Sequence, residues 1–316
     1  MEYRRLGKSE LNVSAIALGT WAIGGKFWGH TDEADAIAAI RKAIDSGVNL
    51  IDTAPIYGDG HSEEVIGKAV KGHRHQVVIA TKRGVRFRGA DLVNDLTPKS
   101  IRKELEVSLK LLDTDVIDLY QCHWPDPNTP LEETIGEMAK MKAEGKIRAI
   151  GVSNFDAALL KKAQKVARIA SNQVGYSMLN REIENELIPF CREQAIGILA
   201  YGPLGGGILT GKYKAKPKFE EGDARTFFYD YYKEPQWSQV QALLKEMEKI
   251  AARHGKPVVQ VAINWVRQQP GITSALVGAR SPQQAEANAA AGNWQLSSED
   301  LSGINKTVGR TFSEKT

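Results

Sequence analysis

Gly47-Val48-Asn49-Leu50-Ile51-Asp52-Thr53-Ala54-Pro55-Ile56-Tyr57-Gly58 is a short apolar run (Val48, Leu50, Ile51) that ends in a carboxylate, turns at Pro55 and presents a phenol. In a barrel of alternating strands and helices, residues at the C-terminal end of a strand and in the loop behind it face the active site. Asp52 and Tyr57 therefore read as two polar groups aimed at one pocket. Two later strands end the same way. Val77-Val78-Ile79-Ala80-Thr81 runs into Lys82, and Val116-Ile117-Asp118-Leu119-Tyr120-Gln121-Cys122 runs into His123.

Working outward, the same unit repeats. Residues 3–6 and 11–15 flank Gly7-Lys8-Ser9 as a short hairpin, and Ala15-Ile16-Ala17-Leu18-Gly19 is the first buried strand. Thr31 is expected to cap a helix with Asp32 and Glu33 in its first turn, and Ile37, Ile40 and Ile44 mark its buried face. Further helices are expected near 62–70, from Thr97-Pro98, at about 156–168 and near 183–194. Thr129 and Glu132 stand at capping-box spacing before another, which stops at Gly145. The remaining strands are 149–152, 171–176, 197–201 and 274–277. Apolar strands alternating with helices imply a parallel sheet covered by helices, and eight of them suggest a closed barrel. No G-x-G-x-x-G follows the first strand, as a Rossmann fold requires. A surplus of about 70 residues before the last strand holds Gly205-Gly206-Gly207, the aromatic run Phe227-Phe228-Tyr229-Asp230-Tyr231-Tyr232 and helices near 237–254 and 258–268. Such an excursion reads as a lid or pocket wall. A last helix is expected at 298–308. The expectation is one α/β domain over residues 1–316: a (β/α)8 TIM barrel with an N-terminal β-hairpin and extra helices near the C-terminus.

Composition removes other classes. The formal charge of +4 is spread along the 316 residues, and no linker-like segment divides them. The densest basic patches, Lys82-Arg83 and Arg86-Phe87-Arg88, read as solvated loop rather than a nucleic-acid surface. Cys122 and Cys191 make no disulfide framework and read as core packing in a reducing compartment. The opening Met1-Glu2-Tyr3-Arg4-Arg5-Leu6 has no apolar signal region, and no apolar run approaches the roughly 20 residues of a membrane span. A soluble cytoplasmic protein with no membrane partner is expected, and the sequence sets no oligomeric state.

The four strand-end residues suit proton transfer. A phenol titrates near 10, too high for a good acid at neutral pH, and a nearby ammonium lowers that value. Lys82 can supply the charge, and Asp52 can hold Lys82 protonated and oriented. His123 can place a hydrogen bond where negative charge builds on a carbonyl oxygen.

At this point the sequence resembles the aldo-keto reductase family over nearly its whole length. The match rests on residues 47–54 with Tyr57-Gly58, on Thr81-Lys82, and on Gln121-Cys122-His123-Trp124-Pro125-Asp126. It continues through Gly145-Lys146-Ile147-Arg148-Ala149-Ile150-Gly151-Val152-Ser153-Asn154-Phe155 and the stretch from Tyr201 to Tyr213. It is closest to bacterial short-tailed members of the general-stress type. The resemblance implies a nicotinamide cofactor bound without a Rossmann fold, reduction of aldehydes or ketones, and Tyr57 as general acid beside Asp52, Lys82 and His123. It also implies carboxamide contacts from Ser153, Asn154 and Gln173, stacking by Tyr201, and a pyrophosphate loop with Gly202, Pro203, Leu204 and Gly206. Gly19, Thr20 and Trp21 join the cofactor set, whose adenosine end is Gly278, Arg280, Gln284 and Asn288. Arg280 precedes a helix start, where a guanidinium suits a 2′-phosphate, so NADPH is expected over NADH. Ser281 to Gln284 also has capping-box spacing, which gives Gln284 a structural alternative. Many family members carry Ile-Pro-Lys-Ser here; this chain has Val277-Gly278-Ala279-Arg280 and lacks that lysine. The substrate pocket is expected from Trp21, Trp28, Trp124 and the 225–237 excursion, favouring apolar or aromatic carbonyls, with core or rim packing as the equal alternative for the three tryptophans.

Two other functions compete. A metal-dependent hydrolase or isomerase would need clustered ligands, but His73 and His75 precede the third strand, at the wrong end of the barrel, and His30 and His61 have no spaced partner. A nicotinamide-nucleotide-sensing module with little turnover could keep all four strand-end residues.

Overall fold

A computed structural model describes residues 1–25, 27–29, 31–88 and 91–312; His30 lies outside them. Eight parallel strands close into a barrel. They are β3 (Ile16–Gly19), β4 (Leu50–Asp52), β5 (Val78–Arg83), β8 (Ile117–Cys122), β9 (Ile147–Ser153), β10 (Ser171–Gly175), β11 (Gly197–Tyr201) and β12 (Ile272–Gly278). β12 pairs with β3 in the register Gly278↔Gly19 and completes the ring. Outside it run α1 (Glu33–Asp45), α2 (His61–Val70), α3 (Pro98–Leu111), α4 (Leu131–Ala143), α5 (Ala157–Gln164), α6 (Leu187–Gln194), α9 (Val258–Arg267) and α10 (Pro282–Ala289). The excursion adds α7 (Ala224–Phe227) and α8 (Gln236–His254), and α11 (Ser298–Phe312) ends the described chain.

The opening hairpin, β1 (Tyr3–Arg5) with β2 (Asn12–Ser14), plugs the N-terminal mouth of the barrel. Its Leu6, Leu11 and Val13 are buried among the inward residues Ala17, Leu50, Ala80, Leu119, Ala149, Leu199 and Leu276. Each such side chain contributes about 1.5–3 kcal/mol of burial free energy. Small inward alanines leave room for the plug. The site therefore has one open end.

Local chemistry departs from the sequence expectation at several places. Asp32, not Thr31, caps α1: its carboxylate accepts from the N–H groups of Ala34 and Asp35 at 2.8 and 3.1 Å. The Thr31 hydroxyl donates instead to Ala22 O. Thr97 occupies the cap position of α3 but donates to Asp95 Oδ1, leaving Pro98 to start the helix. Thr129 donates to Asp126 Oδ2, so its capping box never forms and Pro130 precedes α4. In each case a nearby acceptor outcompetes the helix terminus.

The basic patch is the larger correction. Lys82 and Arg83 are 1% and 2% exposed, not solvated. Alternation along β5 turns Lys82 into the barrel and Arg83 into the helix layer, where it meets Glu63 at 3.4 Å. The chain then doubles back as a second hairpin, β6 (Val85–Arg88) with β7 (Asp91–Asn94), where a plain loop was expected.

Asp300 fastens α11. It accepts from Ser297 N at 2.9 Å while Ser297 Oγ accepts from Asp300 N at 3.1 Å, and it takes Arg253 at 2.6 Å and His254 at 2.7 Å. It is 3% exposed. Burial works against its charge, but these donors hold its carboxyl well below the usual range. A carboxyl depressed by folding stabilises the protein above its unfolded value near 3.9, and that contribution fades as pH falls toward the folded value. Asp300→Asn should therefore lower stability at pH 7 by about 1–3 kcal/mol. It should also lose less than the unmodified protein between neutral pH and about pH 3. Urea midpoints at the two pH values check both.

Candidate active site

Alternation along the strands builds the floor of the site. Ala17, Leu50, Ala80, Leu119, Leu199 and Leu276 face the barrel axis and meet the plug. Residues two further along share their face, so the layer above is Gly19, Asp52, Lys82, Gln121, Tyr201 and Gly278. Ser153 and Gln173 join it from β9 and β10. An apolar layer thus gives way to a polar one in a single step.

Within that layer Lys82 Nζ donates to Asp52 Oδ1 at 2.5 Å, Thr53 O at 3.1 Å and Tyr57 Oη at 3.2 Å. The His123 ring stands edge-on to Tyr57, 6.1 Å between centroids. Burial opposes the ammonium of Lys82, yet Asp52 and Tyr57 more than offset it and hold its pKa above the usual value. Burial pushes the Tyr57 phenol above its ordinary value, and the charge of Lys82 draws back only part of that rise. The sequence argument anticipated the pull of Lys82 but not the larger push of burial. The phenol is held protonated, the form a proton donor needs. Burial, then Lys82 and Arg83, hold His123 well below 6.5, so its ring is neutral at physiological pH.

A cavity of about 690 Å³ opens above this floor. Asp52, Tyr57 and His123 line it, as do all fifteen residues expected to hold the cofactor and the three tryptophans expected at the substrate. Lys82 alone lies beneath, in contact with Tyr57. Comparison with known proteins is decisive: the profile of the Aldo/keto reductase family matches residues 15–308. The chain belongs to the aldo/keto reductase family. It is 43% identical over 317 residues to the aldo-keto reductase YhdN of Bacillus subtilis (strain 168), covering 99% of this chain and 96% of that one. It is 37% identical over 311 residues to the NADH-specific methylglyoxal reductase of Escherichia coli (strain K12), covering 93% and 94%. Among solved structures, the glycerol dehydrogenase AKR11B4 of Gluconobacter oxydans superposes with a TM-score of 0.91 at 37% identity, covering 99% and 97%. The chain is an oxidoreductase acting on carbonyl groups of small molecules with a nicotinamide cofactor.

The donor set of this aldo/keto reductase fits that cofactor. Asn154 adopts φ +60°, which places its amide between elements: Nδ2 donates to His123 O at 3.2 Å, and Oδ1 accepts from Tyr201 Oη at 3.0 Å. That second bond fixes the ring expected to stack on the nicotinamide. Ser153 Oγ donates to Gln173 O at 2.9 Å, so the three carboxamide candidates form one connected corner. Gly206 has φ +69°, and a Cβ there would lie 2.7 Å from the Tyr229 ring; only glycine leaves backbone open to a phosphate at that point. At the far end Gln284 Oε1 accepts from Arg280 N at 2.9 Å and Asn288 Nδ2 donates to Gly278 O at 3.1 Å. Both therefore shape the loop that presents Arg280. Arg280 donates from Nη1 to Trp28 O at 3.0 Å, and among the described residues its guanidinium makes no other hydrogen bond.

Several lining residues escaped the sequence reading. Lys212 brings a further cation to the cavity, in addition to Arg225 at the start of the 225–237 excursion; Arg225 pairs with Asp223 at 2.7 Å and lies over the Phe219 ring at 4.2 Å. Val85, Phe87 and Leu92 reach it from the unforeseen second hairpin. Gln121 touches Asp52 from β8 at 3.3 Å. Its position, two residues before His123 on an inward face, was a readable signal.

Proposed function

We propose that this chain, acting as one unit over residues 1–316, reduces aldehydes and ketones with apolar or aromatic bodies to alcohols, with NADPH as the preferred cofactor. The observation that carries the reading is Lys82 Nζ within hydrogen-bond reach of both Asp52 and Tyr57 at the floor of a large aromatic cavity. A nicotinamide held there would supply the hydride for the carbonyl carbon. Tyr57 supplies the proton to the oxygen, Lys82 stabilises the phenolate left behind, and Asp52 holds Lys82 in place. Neutral His123 can donate a hydrogen bond to the same oxygen as charge builds there. Ser153, Asn154 and Gln173 would hold the carboxamide, Tyr201 the ring, and the bare backbone of 202–206 with Lys212 and Arg225 the pyrophosphate. Gly19, Thr20, Trp21 and Gly278 would complete the channel.

Substrate class follows from the walls. Trp21 lies nearly parallel to Tyr57, 6.0 Å between centroids, and meets Trp28 and Phe228 edge-on. Trp124, Leu92, Phe227 and Phe228 are exposed where they line the cavity. Among the described lining residues the charged ones are Asp52, Lys212, Arg225 and Arg280. Apart from the reacting floor, that charge belongs to the proposed cofactor track. An aromatic aldehyde should therefore be reduced with a much higher kcat/KM than a carbonyl compound of similar size bearing a carboxylate. A panel of matched pairs tests this, and equal rates would contradict it.

The NADPH preference rests on Arg280. Arg280→Ala should weaken NADPH by about 10- to 100-fold, the loss of a charge-assisted bond to phosphate, and leave NADH nearly unchanged. Equal losses in the two titrations, or none, would remove the 2′-phosphate role.

A further inference from the structure

Asp52 has two oxygens, and only one of them serves Lys82. The other, Oδ2, accepts from Gln173 Nε2 at 2.7 Å and from Gln121 Nε2 at 3.3 Å. Gln173 Nε2 also stands 3.5 Å from Gln121 Oε1, a long contact that links the two amides. A carboxylate can only accept, so both amide nitrogens must face it, and the side-chain flips follow from chemistry. Both glutamines are buried, 0% and 3% exposed, on the inward faces of β8 and β10. The barrel makes room for Gln121: Gly151 is its register partner on β9, and a Cβ at Gly151 would lie 2.9 Å from Gln121 Cγ. On its other side Gln121 pairs in register with Lys82.

We propose that Gln121 is a positioning residue for proton transfer: with Gln173 it occupies the second oxygen of Asp52 with neutral donors, so that the carboxylate is oriented toward Lys82 and Lys82 toward Tyr57. Neutral amides matter here. A cation in their place would divide the charge of Asp52 between two partners, and an apolar side chain would leave a buried lone pair without a donor. The amide pair satisfies that oxygen and keeps Lys82 as the one cation hydrogen-bonded to Asp52 among the described residues. Because Gln173 is also a proposed carboxamide contact, a hydrogen-bonded chain runs from the nicotinamide corner through Gln173, Asp52 and Lys82 to the Tyr57 hydroxyl. Gln121 braces the middle of it.

The inference rests on the proton-transfer reading above, and the test separates the two. The pH dependence of kcat/KM for carbonyl reduction reports the phenol of Tyr57. The groups facing that phenol are Asp52 on β4, Lys82 on β5, neutral His123 after β8, Tyr201 on β11 and Tyr229 in the excursion. Of these, Asp52 is the one Gln121 touches. Gln121→Met keeps the length and removes the hydrogen bonds. It should lower kcat/KM by about 10- to 100-fold, the worth of a hydrogen bond to a charged group. It should also move the alkaline limb to higher pH, because a less well-held Asp52–Lys82 pair stabilises the phenolate less, while NADPH affinity stays within about threefold. Gln121→Glu adds a second negative charge beside Asp52 and should cost more at neutral pH. Activity should recover toward acid, where the introduced carboxyl is protonated and donates as the amide does. An unshifted pH profile in Gln121→Met, or a loss of rate that only follows a lowered Tm, would overturn the positioning role. No carbonyl turnover by the unmodified protein would overturn the parent reading and this one together.

Discussion

Tyr57→Phe is expected to lower the turnover of carbonyl reduction by about 10²- to 10⁴-fold, the usual worth of a positioned general acid, and to leave NADPH affinity nearly unchanged. The change removes one oxygen and little else. Trp21 keeps a ring to lie against at 6.0 Å, and His123 keeps its edge contact. Lys82 keeps Asp52 and Thr53 as acceptors, so the buried ammonium is not orphaned. Steady-state rates and a fluorescence titration with NADPH read the two quantities separately. Turnover within a few-fold of the unmodified enzyme would remove Tyr57 as the proton donor. The raised pKa of the phenol also fixes a sign for the unmodified enzyme. With Tyr57 as the proton donor, reduction should fall as pH rises through that value, whereas alcohol oxidation, which would use the phenolate, should rise with pH.

Lys82→Met is expected to damage both stability and chemistry. Lys82 and Asp52 are 1% and 3% exposed and in direct contact, so removing one leaves the other as a buried charge without its counterion. The expected cost at pH 7 is about 3–5 kcal/mol of unfolding free energy, partly softened by the two glutamines that already hold Asp52. Turnover should fall by orders of magnitude because nothing else within hydrogen-bond reach of the Tyr57 hydroxyl among the described residues is cationic. The double variant Lys82→Met/Asp52→Asn separates the effects. Removing both charges should restore most of the stability, since a buried pair is weak evidence of net stabilisation, yet recover no activity. Urea unfolding with steady-state rates on the three proteins decides it. A stable and active Lys82→Met enzyme would contradict the arrangement.

Much of this site was legible because a parallel barrel ties chemistry to the ends of strands. Asp52, Lys82 and His123 each stand at or just past the C-terminal end of a largely apolar strand, a pattern that survives reading without coordinates. The period-two face was legible too and went unused at Gln121, whose side chain points inward because that of Leu119 does. What the sequence reading missed was competition between neighbours. Thr31, Thr97 and Thr129 all have capping chemistry; folding brings the Ala22 carbonyl to Thr31, whereas Asp95 and Asp126 stand two and three residues before their threonines and were competitors the sequence already offered. The second hairpin was missed for a similar reason. Arg86 and Arg88 made residues 85–88 look solvated, while the strand is held by backbone pairing with residues 91–94. The balance on Tyr57 is likewise a packing result: the neighbouring ammonium could be inferred, but the depth of burial that outweighs it could not.

The most direct measurement of the central claim is the absorbance of NADPH, followed after adding an aromatic aldehyde to the purified enzyme–NADPH complex. The NADPH signal should be lost in equal amount to the alcohol formed. Tyr57→Phe should bind NADPH and leave the signal standing. Tight NADPH binding by the unmodified protein with no loss of signal across a broad carbonyl panel would contradict that claim, and would give the four strand-end residues to a nucleotide-sensing module instead.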